Sequence, residues 1–155
     1  MAEAVASFTE AIRLQPAQTG ARHNLGVALI QLGRLDDAIT QFEGALAVRP
    51  DYPEAHHSLG LVLARLERYP QALPHLRAAV TLRPDSAEWA MDLALALTGA
   101  QQLPEAISAF QRAQALRPDS SDIRLKFALT LMMAGRETEA MEQNREGRRL
   151  RDLGR

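Results

Sequence analysis

The chain of 155 residues has a formal net charge of −1, with 46% hydrophobic and 24% charged side chains, so no global field draws it toward nucleic acid or an anionic membrane. Cysteine is absent, which excludes disulfides and thiolate metal sites. No apolar run approaches the ~18 residues of a membrane span, and Ala, Leu, Gln, Glu and Arg, all good helix formers, dominate.

The N-terminal stretch from Met1 to Phe8 has an early acid and no basic region before an apolar core. It does not read as a secretory signal, so a cytoplasmic location is the default. Residues 1–16 are expected to form one amphipathic helix with Val5, Phe8, Ala11 and Ile12 on its apolar face. From there the chain repeats. Pro16, Pro50, Pro84 and Pro118 recur every 34 residues without drift, and a fixed period of that size signals a repeat architecture. The units are 17–50, 51–84, 85–118 and 119–152, within one domain over 1–155.

Each unit holds two helical patterns with a break between them. In the first unit Leu25, Ala28, Leu29 and Leu32 fall at i, i+3, i+4 and i+7. Gly33-Arg34 interrupts, and Ala38, Ile39, Phe42, Ala45 and Leu46 resume the period. Gly33 and Gly135 suit a left-handed C-cap, and Pro70 and Pro104 suit a first helical turn, where a missing N–H costs nothing. Pro74, some five residues into a helix, should remove one hydrogen bond and bend it. Residues 1–16 match only the second half of a unit: Ala4, Phe8 and Ala11 stand in the columns of Ala38, Phe42 and Ala45. At the other end Asn144, Gly147 and Asp152 replace the bulky residue, the alanine and the proline, and 137–150 reads as a polar capping helix.

These residues resemble the tetratricopeptide repeat, a 34-residue helix–turn–helix unit with Leu-Gly in the first helix, Ala and a bulky residue in the second, and a closing Pro. Leu25-Gly26 and Leu59-Gly60 carry the pair, weakening to Leu93-Ala94 and Phe127-Ala128. The aromatic of the first helix is missing, and Arg22, His56, Ala90 and Arg124 take its place. The resemblance implies an all-α fold: a right-handed superhelical solenoid of antiparallel helix pairs, about nine helices in this chain. It also implies a non-enzymatic protein–protein interaction scaffold whose first helices line a concave groove for a peptide or amphipathic helix. No cofactor is expected.

Carried over by alignment, that groove is lined by His23, His57, Met91 and Leu125, then Val27, Leu61, Leu95 and Leu129, then Ile30, Ala64, Thr98 and Met132, with Asn24 beside them. Glu54, Glu88 and Asp122 would make one edge acidic and favour a basic ligand. Packing between neighbouring helices, and helix-start acids complementing the dipole, explain the same residues equally well. Lys and Arg that grip a terminal carboxylate in some family members are replaced by His23, Asn24, Glu54 and Ser58. The Asn ladder of O-linked N-acetylglucosamine transferase repeats survives only at Asn24. His23 and His57 share a column but lack a third metal ligand, and His75 reads as a surface residue. Nothing reads as a nucleophile–base motif or a phosphate loop. Two other functions stay open: self-association through Val5, Phe8 and Ile12, giving a homo-oligomer, and service as the substrate-recognition arm of a larger enzyme such as a glycosyltransferase.

Overall fold

A computed structural model describes residues 2–153. Among the described residues it holds helices and no strand: α1 Ala2–Leu14, α2 Thr19–Gln31, α3 Leu35–Val48, α4 Pro53–Arg65, α5 Tyr69–Leu82, α6 Ala87–Gly99, α7 Leu103–Leu116, α8 Ser121–Met133 and α9 Glu137–Leu153. The all-α expectation of paired helices is met. The chain divides into two compact units, Met1–Arg83 and Pro84–Arg155.

Local chemistry places the boundaries. The second helices α3, α5 and α7 end two residues before Pro50, Pro84 and Pro118, with Arg49, Arg83 and Arg117 as C-caps, because a residue preceding proline is pushed out of the helical region. Pro53, Pro70 and Pro104 sit in first turns. Pro74 lies inside α5, which continues through it without the N–H that would have bonded Pro70. Ser86 and Ser120 cap α6 and α8 by accepting from the N–H of Trp89 and Ile123.

The first helix of every pair ends in the same left-handed turn. Gly33 and Gly135 have φ of 74° and 72°, as their chemistry suggests. The equivalent positions hold Glu67 and Gln101, at φ 57° and 60°. There the same closing bonds, Arg68 N–H to the Leu63 carbonyl and Gln102 N–H to that of Leu97, both 2.9 Å, impose the turn without glycine.

In the first unit the core gathers Leu25, Leu29, Ala38, Phe42, Leu59 and Leu63, and Val5, Phe8 and Ile12 of α1 pack partly buried against it. In the second unit it gathers Ala90, Met91, Ala94, Phe110, Phe127 and Leu131, with Phe110 stacked on Phe127 at 5.3 Å. The column that lacks the expected aromatic has a structural task. Arg22 donates to the Pro16 carbonyl at 3.2 Å, His56 Nε2 to that of Pro50 at 2.8 Å, and Arg124 to that of Pro118 at 3.0 Å. Ala90 cannot do this, and Arg112 supplies the bond to Pro84 at 2.8 Å instead. Each helix-ending proline carbonyl thereby finds a donor.

Candidate functional site

In the first unit the outward face of α2 and α4 is polar and aromatic. His23 Nε2 lies 3.0 Å from Ser58 Oγ, and its ring sits 5.5 Å from those of Phe42 and Tyr52. The Arg49 guanidinium stacks 3.6 Å over Tyr52. Burial pushes the His23 imidazole below its ordinary pKa, opposed by the Asn24 side chain and Glu54. His57 stands near enough for its charge to be felt at His23. Among the described residues no three His, Asp or Glu side chains converge as metal ligands.

The acidic edge is largely neutralised. Glu54 pairs with Arg83. Burial pushes its carboxyl up, but its own backbone N–H, Arg83 and Arg49 outweigh this and hold it below the usual range. In the second unit Asp122 pairs with Lys126 at 2.8 Å, while Glu88 is exposed at the start of α6.

His75 is not a surface residue. It is half-buried, with Nδ1 3.0 Å from His56 Nδ1. His56 Nε2 must donate to the Pro50 carbonyl, so its Nδ1 is the acceptor and His75 Nδ1–H the donor, an assignment made from the network. Periodicity missed this because the two rings meet across different helices. Burial, then the neighbouring His56, pushes the His75 pKa down. A depressed imidazole stabilises the fold above the ordinary value of about 6.5. Below it the unfolded chain takes protons that the folded chain refuses, and stability falls until the folded groups also protonate. We expect the melting temperature to hold from pH 8 to 7 and decline toward pH 5. The decline should be shallower in a His23→Gln/His75→Gln variant, and equal slopes by circular dichroism would refute the assignment.

The apolar column behaves differently from its neighbours. Val27 and Leu61 in the first unit are 36% and 38% exposed, and Leu95 and Leu129 in the second are 37% and 67%. One branched apolar side chain per first helix is thus left facing water. Ile30 is half-buried against the first core, Asn24 is exposed, Leu125 is half-buried, and Met132 is exposed. Met91 is corrected: it lies buried in the second core, 3.9 Å from Lys126 Nζ, and lines no surface. Tyr52 and Arg49 escaped the reading because they stand in the turn before α4, outside the helical period.

A family model described as tetratricopeptide repeat matches residues 1–55, 24–87, 57–121 and 91–152. None of the curated proteins matches the sequence. Among solved structures, MamA from Desulfovibrio magneticus RS-1 is 28% identical with a TM-score of 0.93, over 97% of this chain and 85% of that one. A second MamA structure is 17% identical with a TM-score of 0.91, covering 97% and 88%. YrrB is 24% identical with a TM-score of 0.85, covering 94% and 75%.

Proposed function

The chain belongs to the tetratricopeptide repeat family and has the fold of a protein–protein interaction scaffold; from that premise we propose that it holds an extended peptide or amphipathic helix on the first-helix faces. The exposed apolar column carries this reading. A helix that needed only core contacts would gain nothing from Leu61, Leu95 and Leu129 in water, whereas a ligand burying them gains about 25 cal/mol per Å². YrrB is described as having an unusual peptide-binding site, which makes peptide the first ligand class to try.

Selection of a displayed random-peptide library on the intact chain tests it. Enriched peptides should lose most of their affinity for a Leu95→Glu/Leu129→Glu variant, about 30-fold or more if these are anchors worth ~2 kcal/mol. Undiminished binding by the folded double variant would sink the reading.

A second reading, self-association, rests on α1. Ala38, Phe42 and Ala45 are wholly buried, but Ala4, Phe8 and Ala11 in the same columns are only partly covered, since no first helix precedes them. Such a face can take a second copy. Sedimentation velocity should then show a concentration-dependent oligomer that Phe8→Glu disperses; a strict monomer at the highest concentration would remove this reading.

A further inference from the structure

The end of the second unit carries a seat that its own helices leave unfilled. Ile39, Leu73 and Ile107 share one column and are 8%, 3% and 7% exposed, whereas Met141, in the same column of α9, is 63% exposed. Within the units, α4 lies on α3 and α8 lies on α7, each against that column. No helix lies on α9 in this way. Met141 borders an apolar cleft of about 360 Å³ with Leu125, Leu129 and Met132 of α8. It also borders two adjoining clefts, one lined by Asn144, Arg145 and Arg148 and the other by Thr138, Glu142 and Arg145. The polar character expected of α9 is therefore interrupted where a following first helix would rest.

Register says what fits there. Consecutive helices joined by short connections run antiparallel, so the first turn of α8, with Asp122, starts beside the last turn of α7. A helix on α9 in that register starts beside Arg145 and Arg148 and passes over Met141, Leu129 and Met132. It then ends beside Glu137. Opposite charges at those ends favour an acidic first turn and a basic last turn.

We propose that this face seats an amphipathic helix of a partner protein, acidic in its first turn and apolar beyond, in the position of a further repeat's first helix. The surface is distinct from the exposed column argued above, because Met141 belongs to the second-helix series. The chain's own α4 has the required pattern, with Asp51 and Glu54 at the start, Leu59, Val62 and Leu63 along its length and Arg65 at the end.

A fluorescein-labelled peptide of residues 51–66 is the probe, titrated by polarisation against the intact chain. Saturable binding is expected. Met141→Glu, at an exposed position that leaves the fold intact, should weaken it about 30-fold, the loss of one anchor. Arg145→Glu with Arg148→Glu should weaken it about tenfold by like-charge repulsion. A peptide with Lys at the places of Asp51 and Glu54 should prefer this charge-reversed variant to the native chain. Absence of saturable binding, or equal binding by the native chain and Met141→Glu, overturns the proposal. Loss of binding only in the Leu95→Glu single variant would move the peptide to the other face and overturn it too. Self-association abolished by Met141→Glu would place a second copy in the seat, which also overturns it.

Discussion

Truncating Phe110 to alanine should cost the fold about 3–5 kcal/mol, the range for removing a buried aromatic without collapse of its site. The ring is wholly buried, stacked on Phe127, and surrounded by Ala94, Ala113 and Leu131 of the same core. Alanines cannot reach across the gap it leaves, so the cavity term adds to the transfer term. Against a total stability of about 5–15 kcal/mol, that loss is a large fraction. Chemical denaturation followed by circular dichroism should show a lower midpoint, and Phe110→Leu should recover much of it, since Leu76 fills the equivalent place. A loss below about 1 kcal/mol would mean that the neighbours collapse into the site.

The second large effect comes from adding atoms. A Cβ built on Gly60 would stand 2.6 Å from Leu76 Cγ and 3.2 Å from the Leu76 backbone nitrogen. The first helix of this pair approaches the second so closely that the branch point of the leucine and the main chain itself block any side chain. Gly60→Val should therefore destabilise by about 3 kcal/mol, the upper part of the range for overpacking. Gly26 is under the same constraint from the Phe42 ring, at 2.5 Å. Gly33 is the control. Nothing lies within 4 Å of a Cβ there, so substituting it adds only the strain of its left-handed backbone. If Gly60→Val melts with the native chain, the two helices can separate without cost and this account of the Leu-Gly pair fails.

Much of the architecture was legible before any coordinates. Helix starts and stops are local events, set by proline geometry, by Ser86 and Ser120 capping α6 and α8, and by glycine in a left-handed turn. The 34-residue period set the number of pairs because each unit repeats that local chemistry. The binding face was legible only in part. Val27, Leu61, Leu95 and Leu129 were placed on one line, and their partial exposure agrees with it. Met91 was placed on the same surface and is core, because a column says which way a side chain points but not what packs over it.

The sequence by itself determined where each helix begins and ends and which residues share a face, since both follow from short-range backbone chemistry and a constant period. Tertiary structure alone decided what covers each face. It showed Arg22, His56 and Arg124 satisfying proline carbonyls where an aromatic was expected. It brought His75 against His56, and it left Met141 bare in a column that is buried elsewhere. Covering depends on which neighbour arrives across the fold. Residues identical in pattern part company there: Ile107 lies under α8, and on Met141 no helix rests.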